Sequence, residues 1–136
     1  PVWRFSYSVS QYLYGSLRVP QSYVAGSPIK VLLPVLSLQS ADTNLMQTLA
    51  TLVRTGTDAY TSTTNQRTST NSALTNSAGT QNKFQTVTLD LTSTTGTINS
   101  VAVAAGDLIL VRLTRGTNTN NNDIFVPAFS SEVTFS

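Results

Sequence analysis

The side chains able to do chemistry are six carboxylates (Asp42, Asp58, Asp90, Asp107, Asp123 and Glu132), two lysines, six arginines, five tyrosines and many Ser and Thr hydroxyls. There is no His and no Cys, so the usual general base at neutral pH and the strongest side-chain nucleophile are both missing. A hydroxyl nucleophile would need Lys30, Lys83 or a carboxylate as its base. Glycoside hydrolysis needs two carboxylates facing each other across a sugar. Asp107 and Asp123 instead occupy turn-like positions, where Asp bonds its own backbone, and Asp42 and Asp58 lie in similarly polar surroundings.

A metal site would have to be built from oxygen alone and would take a hard cation such as calcium. Only residues 118–123 gather enough donors. They carry one acid and lack the alternating Asp/Asn pattern and closing Glu of a calcium loop, so a hairpin tip is expected there. The seven glycines form no phosphate-cradling loop. The inventory thus predicts no enzyme, no metal and no cofactor.

Charge narrows the partners. Only 10% of the 136 residues are charged, the net charge is +2, and the eight bases are scattered rather than forming a run that could track a phosphate backbone. Nucleic acid is not an expected partner. No apolar stretch is long enough to span a bilayer, and residues 1–6 lack the basic start and apolar run of a secretory signal, so no membrane insertion is expected. Without disulfides the fold must hold by burial and backbone pairing.

The aromatic and amide side chains remain as contact groups. Trp3, Tyr12, Tyr14, Tyr23 and Tyr60, with Arg18 and the loop residues Asn120 and Asn121, are the candidates for a subunit interface or a ligand contact. If Leu13, Leu17 and Val19 face a core, then Tyr12, Tyr14, Ser16 and Arg18 face the other way. Tyr and Arg on one strand face fit a protein interface, and they also fit a platform for stacking sugars.

Strand signals run through the chain. Trp3, Phe5, Tyr7 and Val9 alternate with polar residues, and the alternation continues to Pro20, predicting a strand pair or one long bent strand with a bulge at Gly15. Residues 29–38 read as an inner strand with an edge or bulge at Pro34. Residues 43–53 fit both a helical stripe and a strand; Thr43, Thr48, Thr51 and Thr55 favour a strand with Leu45, Leu49 and Val53 on one face. Residues 61–82 are almost entirely polar around Leu74, predicting a long loop or a solvent-facing strand pair leaning on a neighbour. Strands are expected again at 84–91, 101–103 and 108–113, the last covered on both faces. A hairpin loop at 116–123 and closing strands through Ile124, Val126, Phe129, Val133 and Phe135, broken near Pro127, complete the chain.

Seven or eight strands between Gly, Pro and Asn turns predict one all-β domain over residues 1–136: an antiparallel β-sandwich of jelly-roll type with a polar insert at 61–82. No fixed-period repeat is present, which disfavours a propeller or solenoid.

Two segments add a resemblance. Residues 12–31 (YLYGSLRVPQSYVAGSPIKV) resemble the first strand, Pro-x-x-Tyr-Val-x-Gly turn and second strand of jelly-roll domains in virion proteins of tailed bacteriophages. Residues 103–115 (VAAGDLILVRLTR) resemble the Gly-Asp turn and basic strand before the last hairpin of the same domains. With the closing strands these pieces cover about half the chain in the matching order. Leu33, Leu36 and Leu38, where such domains often carry aromatics, and the polar insert are departures. The resemblance implies a virion protein of head-fibre, tail-fibre or capsid-decoration type, homotrimeric and joined to other virion proteins. It also implies an alternative, a carbohydrate or receptor-binding module of a tail fibre that attaches to a host glycan.

Overall fold

The computed structural model describes residues 2–5, 11–37, 43–44, 46–54, 65–70, 74–75, 82–115, 123–127 and 132–135. Among them all regular structure is β: β1 (Val2–Phe5), β2 (Tyr12–Arg18), β3 (Ile29–Ser37), β4 (Thr43–Asn44), β5 (Met46–Val53), β6 (Gln66–Thr70), β7 (Leu74–Thr75), β8 (Phe84–Asp90), β9 (Thr97–Ile98), β10 (Val101–Ala102), β11 (Leu108–Arg115), β12 (Ile124–Pro127) and β13 (Glu132–Phe135). Every pairing is antiparallel.

Two sheets carry the fold. One runs β1, β12, β3, β8, with β13 on the same side of β3 as β12; the other runs β2, β11, β5, β6. Two-residue ladders join β9 to β10 and β4 to β7. The sheets stack as a sandwich because each turns one alternating apolar face inward. Ile29, Val31, Leu33 and Val35 of β3 and Val87 and Leu89 of β8 share one core with Met46, Ala50 and Leu52 of β5 and Ile109 and Leu113 of β11. Each large side chain so buried contributes about 1.5–3 kcal/mol.

Pro34 lies inside the central strand β3, and backbone direction explains why it fits. The Ile29 amide donates to Thr92 Oγ1 and its carbonyl accepts from Leu91, so Ile29 faces the β8 side, and Leu33 and Val35 follow. Pro34, lacking an N–H, faces the opposite side. There β13 pairs with residues 29–32 and β12 with 36–37, so Pro34 falls between the two ladders. β12 ends at Pro127, the position of the expected break, and residues 128–131 lie outside the described residues.

Several expectations are corrected. Gly15 is no bulge: it sits in unbroken register opposite Val111. The strands on either side of the hairpin loop expected at 116–123, β11 and β12, do not pair with each other but belong to different sheets, and residues 116–122 themselves lie outside the described residues. In β5 the strand is present but the buried face is Met46, Thr48, Ala50 and Leu52, while Leu49 and Val53 turn outward and are half-buried. Within the polar insert, β6 extends the second sheet by pairing with β5, and β7 pairs with β4. Among the described residues the strands outnumber the seven or eight expected, four of them, β4, β7, β9 and β10, forming two-residue ladders.

Candidate interaction surfaces

The outer face of the second sheet gathers several of the contact groups. Along β2 the alternation turns Tyr12, Tyr14, Ser16 and Arg18 to solvent while Leu13 and Leu17 pack against the core. Their cross-strand neighbours on β11 are Thr114, Arg112, Leu110 and Leu108 in that order. Tyr14 is 70% exposed, Tyr12 49% and Leu110 37%. The outward face of β11, expected to be covered, is half-buried at Leu108, Arg112 and Thr114 and exposed at Leu110. The Tyr12 and Tyr14 rings lie 6.3 Å apart, tilted by 47°. The Arg112 guanidinium sits 4.7 Å from the centre of the Tyr12 ring, a cation–π contact that braces the ring on the sheet. Arg112 Nε is buried and has no hydrogen-bond acceptor among the described residues.

The outer face of the first sheet carries a second apolar row. Arg4, Phe125, Leu36 and Phe84 stand opposite one another across β1, β12, β3 and β8. Phe84 is 50% exposed; Leu36 and Phe125 are half-buried. Neither Arg112 nor this row is visible in a one-dimensional reading, because both depend on which strands become neighbours.

Tyr23 is not a surface contact. It is 8% exposed, in the core, and its hydroxyl donates to the Ser27 carbonyl at 2.5 Å. Burial pushes its phenol pKa above the ordinary value. The turn at Gly96 closes over it: a Cβ there would lie 2.6 Å from the Tyr23 hydroxyl. Trp3 lies in β1 with its backbone paired to Val126. Tyr60, Asn120 and Asn121 lie outside the described residues, as do Asp42 and Asp58.

Each acid whose side chain is described meets a base. Asp90 lies 3.9 Å from Lys30 and Asp123 3.5 Å from Arg4. Asp107 accepts a fork from Arg54, with Nε to Oδ1 at 3.0 Å and Nη2 to Oδ2 at 2.7 Å, and the Ala104 amide donates to Oδ2 at 2.8 Å. Desolvation alone would raise the Asp107 pKa, but the hydrogen bonds from Arg54 and Ala104 and the Arg54 charge outweigh it and hold it below the usual value. One Ser-x-x-Lys spacing does occur, at Ser27 and Lys30, yet that ammonium is directed to Asp90 and the Ser27 carbonyl is taken by Tyr23. Among the described residues no three acidic side chains gather as a metal site would require.

The Asp107 clamp positions the exposed face. Arg54 Nη2 also donates to the Ala102 carbonyl at 2.6 Å, the Val19 amide donates to the Asp107 carbonyl, and Arg18 Nη1 donates to the Gly106 carbonyl. These contacts tie the end of β2, the end of β5 and the start of β11 together beside the Tyr and Leu patch. No family model matches the chain, and no curated protein or solved structure matches it.

Proposed function

We propose that this chain is a structural virion protein of a bacteriophage, a jelly roll that assembles with copies of itself, as trimers, on a capsid or tail. The strand order supports the fold reading. With β12 and β13 taken as one strand interrupted opposite Pro34, the sheets run β1, β12/β13, β3, β8 and β2, β11, β5, β6. That order fits eight strands wound as two Greek keys, the architecture of many viral capsid and lectin domains.

The observation that carries the assembly reading is the pair of outward faces bearing large apolar and aromatic groups: Tyr12, Tyr14 and Leu110 on one, Phe84 with Leu36 and Phe125 on the other. A monomer seldom exposes such patches contiguously, and Tyr and Arg are enriched where subunits meet. Low charge reduces the desolvation cost of packing against an identical neighbour. Assembly then proceeds by burial, without turnover. The test is sedimentation velocity on the unaltered chain and on Leu110→Glu, an exposed position where a charge does not disturb the core. The reading predicts an oligomer that dissociates in the variant with its far-UV circular dichroism unchanged; identical sedimentation of the two overturns it.

The second reading, a tail-fibre module for carbohydrate, is favoured by Tyr14, whose exposed ring lies beside Tyr12 and Arg112 in the manner of a sugar-stacking platform. It predicts glycan-array binding that Tyr14→Ala abolishes.

A further inference from the structure

β2 borders its sheet. It pairs with β11 on one side, and among the described residues no strand pairs with the other. Backbone direction can be fixed from two ends of the sheet. The Val19 amide donates to the Asp107 carbonyl, so Val19 faces β11, and with it Leu17, Gly15 and Leu13. Independently, the Leu52 amide donates toward β6, to the Asn65 carbonyl; carried through the β5 and β11 registers, this gives the same orientation. Tyr12, Tyr14, Ser16 and Arg18 therefore turn their N–H and C=O groups to the open border. Natural edges are usually blunted by proline, bulges or inward charges. β2 has no proline and no bulge, and its one charge, Arg18, is at its last position.

We propose that β2 pairs antiparallel with β2 of a second copy of this chain about a twofold axis through Gly15. The strand is self-complementary in that register. Gly15 is its midpoint, so Tyr14 stands opposite the partner's Ser16, Leu13 opposite the partner's Leu17, and Tyr12 opposite the partner's Arg18. Outward backbone groups meet outward backbone groups along the whole strand, matching every free donor and acceptor on both borders. On the inner side two half-buried leucines meet; on the outer side a guanidinium meets a phenol, and no like charges oppose. Moving the axis to Ser16 would set Pro20, without an N–H, opposite the partner's Tyr12; moving it to Tyr14 would give up the Tyr12 to Arg18 pairs. The product is one continuous sheet through both protomers. This edge contact is separate from the face contacts proposed above, and neither requires the other.

Because the chain has no cysteine, Gly15→Cys supplies a single thiol. A Cβ at Gly15 meets nothing within 4 Å. Across the axis the two residues form a non-hydrogen-bonded pair with Cα atoms about 4.5 Å apart, within disulfide range. Under mild oxidation Gly15→Cys is expected to give disulfide-linked dimer in at least about tenfold higher yield than Tyr14→Cys or Ser16→Cys alone, while a mixture of those two cross-links. Adding Ser16→Pro, which removes an outward donor and leaves the β11 ladder intact, abolishes the Gly15→Cys cross-link. Adding Leu110→Glu leaves it in place, so failure of the face reading and failure of the edge reading are separable. A Gly15→Cys chain that stays monomeric, cross-links no better than the single controls, or ignores Ser16→Pro overturns the proposal.

Discussion

Replacing Arg54 by Ala should cost about 2–3 kcal/mol of folding stability, a value that follows from the geometry around Asp107. The substitution removes the fork to both carboxylate oxygens and the 2.6 Å bond to the Ala102 carbonyl. It leaves Asp107, whose side chain is 11% exposed while Arg54 covers it, with the Ala104 amide as its remaining donor among the described residues. Breaking a fully buried pair costs about 3–5 kcal/mol, but the Arg54 side chain is a third exposed and water can partly replace it, which sets the lower figure. In a chain of this size the loss corresponds to a fall in Tm of about 10 °C. Urea unfolding followed by circular dichroism measures it. Acid adds a second test with a definite sign. Asp107 titrates below its ordinary value of 3.8 when folded, so its stabilisation is present above that value and is lost as pH falls through the lower, folded one. The gap between the unaltered chain and Arg54→Ala should therefore narrow as pH is taken from about 7 to about 2. Equal unfolding midpoints at neutral pH, or a gap that widens in acid, would refute the clamp.

Three further substitutions test the packing. Gly96→Ala combines a φ of +67° with a Cβ 2.6 Å from the Tyr23 hydroxyl and 2.8 Å from the Ser27 carbonyl, and should destabilise by about 3 kcal/mol in urea unfolding. The β9–β10 turn places Asn99 and Ser100 at φ of 47° and 69°, the two positive positions of a type I′ hairpin; Ser100→Gly should stabilise by about 0.5–1 kcal/mol, read as a higher Tm. Thr48 is 1% exposed and its Oγ1 has no hydrogen-bond partner among the described residues, so Thr48→Val should stabilise by about 1 kcal/mol, and a loss of stability would reveal a partner for that hydroxyl.

The sequence made strand positions legible and left their neighbours hidden. Alternation in β2 and β8 and the apolar runs of β3 and β11 are local signals, and the structure has strands at each. The same signal predicts the outward turn of Tyr12 and Tyr14. In β5 it misled, because Leu49 and Val53 outweigh Thr48 and Ala50 in hydropathy, yet Thr48 and Ala50 share the buried face with Met46 and Leu52. Tyr23 reads as surface because it lies among turn residues, yet it joins the core, and the Gly96 turn, far along the chain, closes against its hydroxyl. Residues 116–123 have the composition of a hairpin tip, and composition does not say whether the flanking strands, β11 and β12, pair with each other or join different sheets. Arg112 could not be placed beside Tyr12 until β2 and β11 were known to pair.

The most direct test of the central claim, that this chain is built to assemble with itself through apolar sheet faces, is its molar mass by light scattering at low and at moderate salt. Burial of Tyr14, Leu110 and Phe84 predicts a stable oligomer, trimeric in the proposed reading, whose mass does not change with salt. A monomer at both salt concentrations would contradict that claim, and an oligomer that dissociates as salt rises would assign the contact to charge instead of apolar burial.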